Sequence, residues 1–463
     1  MCRPFRIGVC FMTTALTISA LPYFSDPLAT FARLRQRPGA VLLDSGRPVA
    51  TSGRYDILSS DPLATLEIFA NRQAQLSSTT LTLPAHLDDD STAQQQWLLE
   101  QLPAPALDSD LPFLGGLIGY WSYDLGRQGC SVPSQHPPAT QLPLARLGLY
   151  DWCITFDHVT RQAWLVASDA RRREVLAWLE EAPPAGEPFM LTQPFKAQLN
   201  QAEYTERFEA VQRYIRAGDC YQINLAQRFS ARYEGDEWQA YLQLRHATPT
   251  PFSGYMAWQG QAVLSLSPER FIQCRDGRVE TRPIKGTRPR GDTPAKDQAL
   301  AEELLDSSKD RAENVMIVDL LRNDLGRVCT PGSIRVPQLC QLESYPNVHH
   351  LVSVVQGELA AAHSPLSLLT AAFPGGSITG APKIRAMQII DELEPCQRSV
   401  YCGSLGYIDT RGSMDTSIAI RTMLADHGSL HVWGGGGLVA DSQADEEYTE
   451  TLDKIRHLIG ALE

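Results

Sequence analysis

The apolar residues of this chain fall in short runs cut by Asp, Gly and Pro, and that punctuation constrains the fold more than any other feature. Ala40 to Leu43 is followed by Asp44-Ser45-Gly46, Arg54 to Ser59 by Asp61-Pro62, and Gln261 to Ser267 by Pro268. Short apolar runs bounded by turn formers are strand signals. None approaches the about 18 apolar residues that a spanning helix needs, so no membrane span is expected. Gly115 to Asp124 mixes glycines and aromatics and predicts a buried strand where backbones approach closely. Leu147 to Phe156 and Gln162 to Ser168 predict a strand pair around Asp157-His158. Further strands are expected at Cys220 to Tyr233, Gly254 to Trp258 and Ser429 to Trp433, with a hairpin at Cys274-Arg275-Asp276-Gly277.

Helical spacing predicts helices at Gln94 to Gln101, Arg171 to Glu181, Gln201 to Ala217, Asp236 to Thr248, Arg311 to Arg322, Pro382 to Leu393 and Ala444 to Leu462. Ala182-Pro183-Pro184-Ala185-Gly186-Glu187-Pro188 is the clearest linker. It divides the chain into residues 1–11, a candidate N-terminal extension with Met12 as an alternative start, then 12–181, a linker over 182–200, and 201–463. At about 150 residues per domain, 463 residues make two to four units or one large α/β body.

A net charge of −12 argues against a nucleic-acid binder, and it makes the basic stretch Thr281 to Arg290 an island suited to an anionic small molecule. The ten cysteines form no C-x-x-C pair, which suggests reduced thiols and a cytoplasmic protein without a zinc site. Polar residues interrupt the N-terminal apolar stretch, so the signal-peptide pattern is poorly met.

Within the basic island, Pro283 and Pro289 stiffen the backbone around Lys285, and Gly286 permits a sharp turn. Arg282, Arg288 and Arg290 are expected to lower its proton affinity, making it a candidate nucleophile. Glu313 shares a helical face with Met316, Ile317 and Leu320, an arrangement that calls for a rim position, a cation or a metal. In the last helix Tyr448, Leu452, Ile455 and Ile459 are expected on the packing side, and Glu450 and Lys454 are spaced as an i, i+4 ion pair. Gly434 to Gly437 offers side-chain-free backbone to a ligand, and the loop Pro374 to Lys383 leads into a helix N-terminus with two hydroxyls. Glu269 reads equally as an acid catalyst or as the ion-pair partner of Arg270.

Jointly, Ser267-Pro-Glu-Arg-Phe271, Pro283-Ile-Lys-Gly-Thr287, Asp310-Arg-Ala-Glu-Asn314, His350-Leu-Val-Ser353, Gly376-Ser-Ile-Thr-Gly-Ala-Pro-Lys383, Thr416-Ser-Ile-Ala-Ile-Arg-Thr422 and Tyr448-Thr-Glu-Thr451 resemble the chorismate-utilising enzymes. The first 180 or so residues, with Leu42-Leu43-Asp44-Ser45 and Gly115-Gly116, resemble the N-terminal portion of aminodeoxychorismate and anthranilate synthase large subunits. The resemblance implies an α+β fold of two large, mostly antiparallel sheets packed together with helices outside. It implies that Glu313 and Glu450 hold Mg²⁺, and that Arg421, Tyr407, Ser377 and the Gly435, Gly436 and Gly437 backbone grip the carboxylates of chorismate. His350 lies near the ring, and Lys454 and Gln222 complete the substrate-binding set. Lys285 would attack C2 while Glu269 protonates the departing C4 hydroxyl, and ammonia would then add at C4 to give 4-amino-4-deoxychorismate, on the route to p-aminobenzoate and folate.

Anthranilate-forming relatives usually carry alanine at the position of Lys285. Water-using relatives carry a lysine base where this chain has Gln222. An anthranilate synthase large subunit and a non-catalytic dicarboxylate binder are the alternative readings. Leu43, Asp44 and Ser45 form a candidate tryptophan site in which Asp44 replaces the family's glutamate. No cysteine stands in a G-x-C-x-G elbow, so ammonia is expected from a separate glutamine amidotransferase subunit in a heterodimer.

Overall fold

The computed structural model describes residues 15–463 except 51, 71–72, 85–86, 88 and 346–347; the candidate extension 1–11 and Met12 lie outside the described residues. Its strands form two antiparallel sheets, one of twelve and one of eleven, as the resemblance implies. One core lies between them, with Val41, Val263 and Leu424 from the larger sheet meeting Leu117, Ile272 and Met414 from the other. On the outer face of the larger sheet, a second core gathers Phe31, Trp238, Tyr241 and Leu458 from covering helices.

Both sheets draw strands from both halves of the sequence. Val41–Asp44 pairs with Phe252–Trp258, placing Leu43 opposite Gly254. Gly116–Trp121 pairs with Ser404–Asp409, placing Gly119 opposite Gly406. A Cβ on Gly119 would come within 2.0 Å of the Arg146 carbonyl, so glycine is what admits that neighbour. The boundaries at 181 and 201 thus separate stretches of sequence, not separate cores.

Several elements differ from the sequence reading. The run Leu147 to Phe156 is two strands: Ala145–Tyr150 lies in the eleven-stranded sheet and Cys153–Asp157 in the twelve-stranded one. The chain crosses between sheets at Asp151-Trp152, where the Trp152 indole is buried and donates to the Ser60 carbonyl at 2.8 Å. The predicted strand at 115–124 ends at Trp121, and Ser122 caps a helix, Tyr123–Gly129. The expected linker contains a strand, Met190–Ala197, on the edge of the larger sheet beside Gln222–Glu234. Its side chains are mostly exposed, which removes the apolar alternation that marks a strand.

The glycine run is no loop. It completes the strand Ser429–Leu438, paired residue by residue with Gln222–Glu234. A Cβ on Gly434 would lie 2.0 Å from the Thr451 carbonyl, so the bare backbone lets the C-terminal helix, Ala444–Gly460, rest directly on the strand. That contact also rotates the helix. Its buried residues are Glu447, Thr451, Ile455 and Leu458, whereas the expected Tyr448, Leu452 and Ile459 are half-buried.

Candidate active site

Glu269 follows the strand Gln261–Ser267 across Pro268, and Ser267 pins the bend by donating to the Ile418 carbonyl at 2.6 Å. The Glu269 carboxyl is 6% exposed. Burial pushes its pKa up to about 7, against the opposing pull of Lys285, the Ser377 hydroxyl and the Ile284 N–H. Arg270, the other partner the sequence offered, instead pairs with Asp415 at 2.9 Å. Glu269 is therefore free of Arg270 and open to acid chemistry.

Lys285 lies on the strand Ile284–Pro289, where the register slips between Lys285 and Thr287 against Val348–Glu358. Gly286, between them, has φ +79 and packs so closely on Leu304 and Asp310 that a Cβ there would clash. The lysine Nζ donates to the Ser377 carbonyl at 3.2 Å. Loss of solvation lowers its proton affinity, countered by Glu313 and reinforced by Lys454. The arginines expected to do this are occupied elsewhere: Arg282 with Glu343, Arg288 with Glu303 at 2.8 Å, and Arg290 with Asp297 at 2.7 Å. These ion pairs commit the three arginines to carboxylates on other elements, which is why neighbours in sequence do not act on Lys285.

Glu313 lies on the helix Ser308–Gly326, half-buried beside Met316 and the buried Ile317 as its spacing predicted. Burial raises its carboxyl, and Lys285 and Lys309 partly offset this. Glu450 forms the expected ion pair with Lys454 at 2.6 Å, and Lys454 also donates to the Gly435 carbonyl at 2.9 Å. Burial would raise Glu450, but Lys454, Lys309 and Lys285 together hold it below the usual range.

Glu447 is the residue the sequence reading passed over. Its Oε1 accepts from Ser442 at 2.6 Å, while its buried Oε2 has no hydrogen-bond partner. A Cβ on Gly436 would sit 3.0 Å from that Oε2 and 3.2 Å from Glu450 Oε1, so both carboxylates crowd the glycine strand. Burial raises the Glu447 pKa and the charge of Glu450 raises it further. The i, i+3 spacing of Glu447 and Glu450 was the available signal. Among the described residues, no group of three or more His, Cys, Asp and Glu side chains closes into a preformed metal site.

Arg421 takes a left-handed backbone, φ +50, and no hydrogen bond or ion pair engages its guanidinium among the described residues. Burial lowers its pKa, as for a cation short of a counter-charge. It reaches His350 electrically: burial first, then Arg421, brings that imidazole down to about 4, so it is neutral near pH 7. His350 Nδ1 shares a hydrogen with Thr287 Oγ1 at 2.9 Å. Gln222 is 1% exposed with Nε2 against Gly437, and its Oε1 lacks a partner. Ser377 links Lys285 and Glu269, its carbonyl accepting from the lysine and its hydroxyl donating to Glu269 Oε1 at 3.2 Å.

Tyr407 is not brought to this cleft. It lines a separate cavity of about 310 Å³ with Leu43, Asp44, Phe252, Arg270 and Asp415. Ser45 lies behind that wall, its N–H donating to Asp56 at 2.6 Å and its hydroxyl unpartnered. Asp44 is saturated by the protein itself, accepting from Arg245 Nε at 2.5 Å, Tyr241 OH at 2.7 Å and the Gly46 N–H at 2.7 Å.

Known proteins resemble this chain over most of its length. The sequence profile of the family described as chorismate binding enzyme matches residues 40–460. Aminodeoxychorismate synthase component 1 of Salmonella typhimurium is 47% identical, covering 97% of this chain and 99% of its own. Anthranilate synthase component 1 of Geobacillus stearothermophilus is 34% identical over 95% of this chain and 91% of its own. The crystal structure of anthranilate synthase component I from Streptococcus pneumoniae superposes with a TM-score of 0.77 at 30% identity, over 89% of this chain and 93% of that one. The menaquinone-specific isochorismate synthase of Escherichia coli, at 18% identity and TM-score 0.73 over 97% of this chain and 95% of its own, shares the fold. With the profile covering most of both sheets and every residue named in the cleft, this chain belongs to the chorismate binding enzyme family.

Proposed function

We propose that the chain aminates chorismate at C4, giving 4-amino-4-deoxychorismate for p-aminobenzoate and folate synthesis. One observation carries this reading: a lysine whose proton affinity burial lowers and a carboxylic acid with a pKa of about 7 meet at Ser377. Neutral Lys285 bonds to C2 as the ring double bonds shift and the C4–O bond breaks. Glu269 gives its proton to the leaving hydroxyl, which departs as water. Ammonia then bonds to C4, the double bonds shift back, and the C2–N bond to Lys285 breaks. The lysine thus replaces one hard substitution with two easier ones.

Arg421 supplies an unpaired cation for a substrate carboxylate, and Lys454 with the glycine strand supplies further contacts. Gln222 is a neutral amide and cannot serve as the base that a water nucleophile needs. Glu313 and Glu450, with Glu447 beside them, suit a hard, oxygen-seeking cation: the carboxylates crowd one another and one oxygen lacks a partner. Mg²⁺ held there would neutralise that cluster and a substrate carboxylate.

The relatives' designation as component 1 goes with a second component. With no glutaminase elbow among the ten cysteines, a glutamine amidotransferase subunit is proposed to form a heterodimer with this chain and deliver ammonia. No helix among the described residues is long and apolar enough to cross a membrane, and the eight described cysteines are free, in keeping with a cytoplasmic enzyme. The test is to incubate the protein with chorismate, Mg²⁺ and ammonium and to identify the product by mass spectrometry. The 4-amino product is expected; anthranilate alone would overturn the reading in favour of the more distant relatives, and no turnover would favour a non-catalytic binder. Glutamine used as efficiently as ammonium by the isolated chain would remove the need for a partner.

A further inference from the structure

The turn that carries Ser377 is held from three sides. Gly376 lies against Leu320 so tightly that a Cβ would come within 2.3 Å of it. Thr379 donates to the Gly375 carbonyl at 3.0 Å. Buried Arg398, itself fixed by Glu394 at 2.5 Å, donates to the Ile378 carbonyl at 2.9 Å. Ser377 is 9% exposed on this short 3₁₀ turn, Gly376–Ile378, and its backbone and side chain reach different groups. The carbonyl takes a hydrogen bond from Lys285 Nζ at 3.2 Å and the hydroxyl gives one to Glu269 Oε1 at 3.2 Å.

We propose that Ser377 is a positioning residue that sets the acid Glu269 and the nucleophile Lys285 in register with each other, and is not a grip on the substrate's carboxylate. A serine hydroxyl has one proton to give. Once given to Glu269, it is not available to a substrate anion, and the lone pairs left on Oγ repel one. Arg421, without a partner of its own, meets that need instead. The two contacts also act on different partners: the carbonyl orients the lysine whatever the side chain, whereas the hydroxyl orients the acid alone.

The groups facing Glu269 are Lys285 and the Ile284 N–H from its neighbouring strand, Lys454 from the C-terminal helix, the Cys402 thiol and Ser377. Of the contacts favouring its ionised form, only the hydroxyl can be deleted without touching a charge or the main chain.

The inference rests on Glu269 and Lys285 being acid and nucleophile. That reading fails if the unaltered protein makes no 4-amino product, whereas the inference is judged among active proteins. Ser377→Ala and Ser377→Val are compared with Ser377→Thr, which keeps the hydroxyl; the Val/Thr pair separates hydroxyl from volume should the alanine variant fold poorly. Expected for Ala and Val is a kcat lower by about tenfold or more, a KM for chorismate within about twofold, and a high-pH limb of activity moved upward by about half a unit, since a hydrogen bond favouring the carboxylate is gone. Ser377→Thr should restore all three. A rise in KM with kcat and the pH limb unchanged would make Ser377 a substrate contact and overturn the inference, as would variants that match the unaltered protein.

Discussion

Two buried regions of this molecule hold charged side chains, and they treat them in opposite ways. In the cavity between the sheets, Asp44 is closed on every side by Arg245, Tyr241 and the Gly46 N–H. In the cleft, Arg421 has no partner among the described residues, and Glu447 Oε2 and Gln222 Oε1 accept nothing. A satisfied buried charge maintains a structure, while an unsatisfied one costs free energy until a ligand arrives. Between these two regions, the pairing of the buried charge, more than burial or charge itself, therefore makes the difference.

The largest effect should come from the cleft. Lys285→Ala is expected to reduce ammonia-dependent amination about 10³-fold or more and to abolish any covalent adduct at that position, as read by product assay and peptide mapping. An adduct elsewhere would reassign the nucleophile. Glu269→Gln should cost about 10² to 10³ in kcat. Because the acid must carry its proton and its pKa lies at about 7, kcat/KM of the unaltered protein should fall as pH rises through that value, and the Gln variant should lose this limb.

The cavity should answer differently. Arg245→Leu leaves Asp44 buried without its cation, with an expected loss of about 3 kcal/mol in chemical denaturation but ordinary turnover per folded molecule. A fall in turnover at unchanged stability would erase the distinction between the two regions. The smallest effect is expected for Glu447→Gln: about tenfold weaker Mg²⁺ binding in a direct titration, with fold stability kept or improved because a crowded charge is gone. Tighter Mg²⁺ binding by that variant would exclude Glu447 from the ion's surroundings.

Glu269, Lys285 and the helix-borne Glu313 and Glu450 were legible as members of spaced motifs, and the structure brings them to one cleft. Glu447 was not. Counting apolar residues put Tyr448, Leu452 and Ile459 inward, but a strand bare of side chains at Gly434 and Gly436 has room for carboxylates, and the helix turned accordingly. Tyr407 was misplaced for a different reason. It was assigned by the resemblance alone, and its strand turns it, with Leu405, toward the inter-sheet cavity, a direction that a motif match does not carry. Neighbouring arginines looked like the cause of Lys285's lowered proton affinity, which burial supplies instead, because sequence shows adjacency and not direction.

The interleaved sheets bear on how the protein comes to exist. Val41–Asp44 waits for Phe252–Trp258 and Gly116–Trp121 waits for Ser404–Asp409, so an emerging N-terminal half holds unpaired strand edges until nearly the whole chain has left the ribosome. Such distant pairing slows folding and exposes edges to misassociation. A nick or gene split in the proline-rich stretch 182–188 should yield fragments that are insoluble alone and reassemble only when made together.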